Sequence, residues 1–479
     1  MRTPRSSLAR NGRTTRARIA SARAALAGTA ATALLAALPA PTSAQPAALS
    51  SGTFAFTGAN VVPMDRERVL ANHTVVVTNG RITAVGPTGS VRVPAGATSI
   101  DARGKYLMPG LAEMHAHVPP ANAPAAVKDR VLSLYLVNGI TTIRGMLGDA
   151  SHLALRDRIA RGETAGPRLV TSGPSFNNNS VKTTQAGIDS VLSQQKAGYD
   201  LLKIHPGVSR ATFDSVAATA NRVGISFSGH VPYDVGYARA LTAKYSTIDH
   251  ADGLLEAMLR DGAPMRPDQG GFFGLGLVDH IDTTKLAALA QQTRDAGVWI
   301  VPTAALMENM TNAVAPESLA AMPEMAYWLP AQIRAWTLNK QNLVGTGAFS
   351  MAQRERFIAL RRQALLGLHR GGVRFLLGSD SPQIWNVPGF STHRELETLV
   401  HSGFTSFEAI RTGTVNIAEY LGEGATRGTI ANGMAADLIL VQGNPLADVR
   451  NTARIDGVMV RGRWMPKSAI DSTLAALRS

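Results

Sequence analysis

Apolar residues in this chain fall in short runs, and their spacing changes twice. Between 53 and 105 they alternate with polar positions, in FAFTGANVV and then VVVTNGRITAVG, the two-residue period of half-buried strands. Asn79-Gly80 inside the second run predicts a tight hairpin, because both residues accept the left-handed backbone that such turns require. Similar β-rich text returns far downstream, in DLILV from Asp437 and GVMVRGRW from Gly457. The two stretches predict a small composite β-sandwich domain built from both chain ends, residues 51–108 and 424–466, with 467–479 as a C-terminal tail.

Between 109 and 423 the text changes to short apolar runs, each followed by a helical pattern. The runs are LMPGLAEMHAH, GITTIRGM, PRLVTSGP, YDLLKIH, GISFSGH, YSTIDH, GVWIVPTA and VRFLLGSD. Eight strand-like runs separated by helices predict an α/β fold, a (β/α)8 TIM barrel. Two connections are long, 252–297 and 304–372; the first holds GGFFGLG from Gly270, the second Trp328 and Trp336. Loops at the C-terminal ends of barrel strands build the active site, so these are expected either to wall the substrate pocket or to pack as extra helices outside.

Charge first suggests a nucleic-acid partner and then withdraws it. The formal net charge is +14, from 48 Lys+Arg against 34 Asp+Glu. Seven of the arginines (Arg2, Arg5, Arg10, Arg13, Arg16, Arg18 and Arg23) lie in residues 1–44, which contain no acid. The remaining +7 is spread over 435 residues, too diffuse for the basic stripe that nucleic acid requires. The arginines precede an apolar run from Ala24 to Leu38, broken by Pro39 and Pro41 and followed by small residues up to Ala44. That order predicts a signal peptide over 1–44 and an exported protein, periplasmic or secreted, with no stable membrane insertion after cleavage. Cysteine is absent, which excludes disulfides, thiolate-bound zinc and a thiol nucleophile.

Any metal site must then use histidine and carboxylate, and such residues recur at the predicted strand ends. His115 and His117 end the first strand, His230 the fifth, His250 the sixth and Asp380 the eighth. Residues i and i+2 of a strand share a face, so His115 and His117 project together into the barrel mouth. Four imidazoles converging with a carboxylate make a site for a first-row metal, zinc foremost. Lys203 ends the fourth strand. Protonated, it is a poor ligand and costly to bury, so it forms an ion pair, snorkels to the rim, or reacts with CO2 to give a carbamate able to bridge two ions. Arg144, His205 and Tyr233 are candidate substrate contacts. Arg354-Glu-Arg and Arg361-Arg362 read as solvated helix faces.

The chain resembles the metal-dependent amidohydrolase superfamily, in its imidazolonepropionase-like and prolidase-like branch. The resemblance rests on LMPGLAEMHAH, GITTIRGM, DLLKIHPG, SGHVP, TIDHADG, LLGSDSP and GTIANGMAADLILVQGNPLADV, and covers nearly the whole mature chain. It implies that His115, His117 and Asp380 hold one Zn2+ and that His230 and His250 hold a second, with carboxylated Lys203 bridging both. Two departures are modest: Glu113 replaces the usual Asp, and Gly145 follows Arg144 where an acid is frequent. HVPYD after His230 lacks the proton-shuttling Glu of mononuclear deaminases, so deamination is disfavoured.

The implied mechanism is hydrolysis of a C–N amide bond by a hydroxide bridging the two ions, formed because paired cations lower the pKa of water to about 7. Asp380 would be the general base and then the acid. The expected substrate is a small-molecule amide or peptide, an N-acyl amino acid or an Xaa-Pro type dipeptide. A cyclic amide or imidazolone-type ring hydrolase with the same site is an alternative, as is a non-catalytic metal- or solute-binding protein. Similar proteins also form homo-oligomers.

Overall fold

The computed structural model describes residues 49–345, 347 and 349–478. The expected signal peptide lies outside the described residues. Fifteen strands alternate with helices among the described residues: β1 (Phe54–Val61), β2 (Leu70–Thr78), β3 (Arg81–Pro87), β4 (Thr98–Asp101), β5 (Lys105–Pro109), β6 (Leu111–Ala116), β7 (Ile140–Gly145), β8 (Arg168–Thr171), β9 (Leu201–Ile204), β10 (Ser226–Gly229), β11 (Thr247–Asp249), β12 (Trp299–Val301), β13 (Leu438–Gln442), β14 (Ile455–Val460) and β15 (Arg463–Pro466).

Both chain ends join one sheet, in the order β15-β14-β13-β5-β1-β2-β3, with β4 beside β1. The hairpin expected at Asn79-Gly80 is present, with φ of 51° and 73°. The strands hydrogen-bond as one sheet that curls around its own core, and the expected sandwich is not seen as two separate sheets. Phe56 of β1 and Trp464 of β15 stand four strands apart in the order, about 19 Å in a flat sheet, yet their rings meet at 5.1 Å. Around that pair Val75, Val77, Ile82, Leu107, Leu438, Leu440 and Met459 are buried. The expected tail is a helix, Lys467–Leu477, which buries Ile470, Thr473 and Leu477. Arg130 of the helix Ala125–Val137 donates to its last carbonyl at 2.6 Å.

The middle of the chain pairs its strands in parallel. β6, β7 and β8 form one ladder, and β9, β10, β11 and β12 another. Single bridges connect them: Ser172 to Leu201 on one side, Ile300 to Phe375 and Ala116 to Ser381 on the other. The run VRFLLGSD thus occupies the eighth place but carries isolated bridges instead of a ladder. Gly378 explains part of this, since a Cβ there would lie 2.5 Å from Val301 Cγ1 and 3.0 Å from the amide nitrogen of His115. Helices follow each strand and are stopped chemically. Thr183 and Ser209 cap the starts of Thr184–Ala197 and Arg210–Val223, and Gly198 and Gly224 end them in the left-handed region. One large apolar core lies between the helices and strands.

Candidate metal centre

The C-terminal ends of β6, β9, β10 and β11 and the segment 375–381 deliver the predicted ligands to one place. His115 and His250 have ring centroids 4.6 Å apart, His230 and His250 4.4 Å, and His115 and His117 5.7 Å. One ligand atom each from His115, His250 and Asp380 fall within 4.8 Å of one another. Asp380 Oδ1 is 3.1 Å from His117 Nε2 and 3.7 Å from His115 Nε2. Lys203 Nζ lies 3.3 Å from His115 Nε2. All six predicted ligands are therefore brought together. Gly229 makes room for Lys203: a Cβ at that position, where φ is 126°, would sit 2.3 Å from the carbonyl oxygen of Ile204 and 2.9 Å from Lys203 Cδ.

The backbone is strained where the ligands project. His250 and Ala251 take φ of 63° and 47°, Asp380 takes 64° and Thr303 takes 44°. Non-glycine residues avoid this region, and such clusters mark sites where the surrounding packing holds a functional geometry.

Acceptors missed in the sequence orient the imidazoles. His230 Nδ1 bonds to Asp252 Oδ2 at 3.1 Å, and His250 Nδ1 to Thr303 Oγ1 at 2.9 Å. His115 Nδ1 faces Asp249 Oδ2 at 2.9 Å. With Nδ1 of His230 and of His250 hydrogen-bonded, Nε2 is the ring nitrogen these two leave for the centre, and His250 Nε2 is buried without a hydrogen-bond partner, as is His115 Nδ1. Asp249 and Asp252 flank His250 in TIDHADG, a signal that was legible but unused; Thr303 had none. Glu113, fully buried, accepts from the amides of His115 and Ser379 and from the hydroxyls of Ser379 and Thr392, tying β6 to the eighth segment.

Burial controls the charges. It pushes the His117 imidazole down to about 3 and those of His115, His230 and His250 well below the usual range, aided by the nearby Lys203 ammonium. The rings are neutral at pH 7, the form that binds a metal. Burial also lowers Lys203 to about 8 and raises the Asp380 carboxyl to about 7. Neutral imidazoles, an unpartnered buried Nε2 and a carboxylate within 4.8 Å suit a divalent cation.

The three candidate substrate contacts diverge. Arg144 is fully buried beneath the centre, bonded to the Met114 carbonyl, Thr247 Oγ1, Tyr420 Oη and Asp249. Its donors are taken up by protein groups, as in a structural ion pair. His205 stacks on His230 at 5.2 Å, and Tyr233 is 41% exposed with its hydroxyl 3.5 Å from the Gly271 carbonyl. The long connections are mostly helical, yet Phe273 in GGFFGLG, at φ 45°, places its ring 5.6 Å from His250 and 6.1 Å from His230. Trp328 and Trp336 stack on each other at 6.3 Å within the core. Two arginines read as solvated, Arg354 and Arg361, are instead buried.

Residues 106–465 match the model of the amidohydrolase family, and the chain belongs to that family, hydrolases that act on carbon–nitrogen bonds and typically bind divalent metal. Among solved structures it is similar to a provisionally named prolidase from Bifidobacterium longum, 27% identical, covering 89% of this chain and 99% of that one with a TM-score of 0.63. It also resembles the bottromycin amidohydrolase in fold, 20% identical with a TM-score of 0.66, covering 89% of this chain and 90% of that one. An adenine deaminase from Bradyrhizobium sp. (strain ORS 278) is 28% identical over 246 residues, 44% of this chain and 39% of its own length. Another, from Chelativorans sp. (strain BNC1), is 30% identical over 240 residues, with the same coverage. The chain thus matches about two fifths of the length of these curated relatives.

Proposed function

We propose that this chain is an exported, binuclear amidohydrolase on a (β/α)8 barrel, cleaving a C–N amide bond in an N-acyl amino acid or a dipeptide of the Xaa-Pro type. The observation that carries the reading is the convergence of His115, His117, Lys203, His230, His250 and Asp380 on one buried point. The cyclic order of parallel pairings through the eighth segment supports the barrel. The Bifidobacterium relative, covered almost completely, supports the peptide-like substrate.

His115, His117 and Asp380 would hold one ion and His230 and His250 the other, with Lys203 as a carbamate between them. Divalent cations, zinc foremost, would polarise the scissile carbonyl and acidify water in this position. A lowered Lys203 pKa supports the carbamate, because only the neutral amine attacks CO2. Asp380, held by Gln383 Nε2 at 3.2 Å, stands where it can take the water's proton and return it to the leaving nitrogen. Phe273, whose ring stands 5.6 Å from His250 and 6.1 Å from His230, would form part of the substrate pocket's apolar wall.

The adenine deaminase matches favour a second reading, hydrolysis of a ring amidine, but the residues after His230 are Val-Pro-Tyr-Asp and offer no glutamate. The test is metal-replete protein at neutral pH with bicarbonate, screened against N-acyl amino acids, dipeptides and adenine. Turnover of an amide, about two metal ions per chain, and loss of turnover in a folded Asp380→Asn protein are expected. Wild-type turnover by that variant, or adenine as the only substrate, refutes the reading. Export predicts a mature N-terminus at Gln45; an intact Met1 refutes it.

A further inference from the structure

Arg361 lies on the helix Met351–Arg370, and nothing in its sequence context marks it for chemistry. Its side chain is buried and Nη2 donates to the carbonyl oxygen of His250 at 2.6 Å. That carbonyl belongs to the first of two successive left-handed residues, His250 and Ala251, a conformation that costs on the order of 1–2 kcal/mol per residue unless contacts hold it. A second buried residue acts on the other side of the same imidazole. Glu395, on the helix Phe390–His401, accepts from the amides of Ala304 and Ala305 at 2.8 and 2.7 Å. Those amides immediately follow Thr303, whose hydroxyl meets His250 Nδ1. The Arg361 charge also acts on Asp252, the partner of His230, and on Glu395.

We propose that Arg361 is a positioning residue for the metal centre. With Glu395 it braces His250 from both sides, Arg361 on the main chain and Glu395 through Thr303. Among the described residues no carboxylate forms an ion pair with Arg361; Asp252, Glu256, Glu395 and Glu308 act on its charge only at longer range, so its burial is costly and the His250 carbonyl is the partner it reaches directly. Its use is geometric, fixing the imidazole that immediately follows β11, a strand only three residues long. Arg362, next on the helix, serves as the internal control, since its ion-pair partner is Glu308, at 2.6 Å, and not a group bonded to the histidines. The inference rests on the metal-centre reading above.

The experiment is titration of Co2+ into metal-free full-length chain, following the visible absorption of bound cobalt and the dissociation constant by chelator competition. Arg361→Met should weaken cobalt affinity about 10–100-fold, as loss of a ligand-orienting partner does, and shift the absorption band. Arg361→Lys should recover part of both, Glu395→Gln should reproduce the weakening, and Arg362→Met should change neither. If Arg361→Met does not fold, Arg361→Lys decides: weakened binding at unchanged melting temperature supports the brace. Wild-type affinity and band in folded Arg361 variants, or lower melting with cobalt binding untouched, overturns it. A wild-type chain that takes up no cobalt fails the metal-centre reading itself, before any variant is compared.

Discussion

Removing the Asp249 carboxylate should damage the protein in two separable ways. Asp249 is fully buried, accepts from Arg144 Nη2 at 3.2 Å and Thr247 Oγ1 at 2.6 Å, and lies 2.9 Å from His115 Nδ1 and 3.9 Å from Lys203 Nζ. Asp249→Ala strands the equally buried Arg144 without its counter-charge. Breaking a buried pair from one side costs about 3–5 kcal/mol, because the surviving charge stays desolvated. The second effect falls on His115, which loses the anion facing Nδ1 and with it about 10–100-fold in metal affinity. Thermal melting of metal-free Asp249→Ala, Arg144→Met and the double variant isolates the first effect. The coupling between the two substitutions should be on the order of 0.5–3 kcal/mol, with the double variant more stable than additivity allows. Metal affinity should stay low in the double variant, since His115 is still unsupported. Additive stabilities, or wild-type metal binding in Asp249→Ala, would refute the argument that this carboxylate serves both roles.

Two further outcomes test other parts of the molecule. His393 lies between Thr452 Oγ1 and the Asn138 carbonyl, both at 2.9 Å, and burial lowers it to about 4. Its neutral form is native, so the unfolded chain protonates first as pH falls from 6.5 towards 4, and stability present above 6.5 is lost by about 3 kcal/mol across that window. Melting of His393→Gln across those pH values should fall less steeply than wild type; an identical slope rejects the assignment. Phe273→Gly removes a left-handed strain of roughly 1–2 kcal/mol together with the ring beside His230 and His250. Melting should change little, while KM for an apolar amide rises about fivefold for roughly 1 kcal/mol of lost contact; an unchanged KM would place the ring outside the substrate's path.

Local signals carried much of this protein. Two-residue alternation and Asn79-Gly80 located the hairpin of β2 and β3, and eight apolar runs located the parallel segments, because strand periodicity and turn chemistry act over a few residues. Histidines at the ends of those runs were legible for the same reason: a strand end points where the strand points. The buried arginines were not. Arg361 looks like solvated charge in one dimension, since its partner, the His250 carbonyl, lies 111 residues away. That both chain ends build one β domain was legible in their β-rich text, while its register, with β13 beside β5, arises only on folding.

By itself the sequence determined the order of elements, the residue types available for a metal and the strand end from which each would project. Only the tertiary structure decided which nitrogen of His230 and of His250 is left for the centre, which arginine is buried, and which loop residue faces the histidines. Those properties depend on distances of about 3 Å between groups far apart in the chain. Such distances are set by packing, where burial turns a charge from a solvated side chain into a structural element.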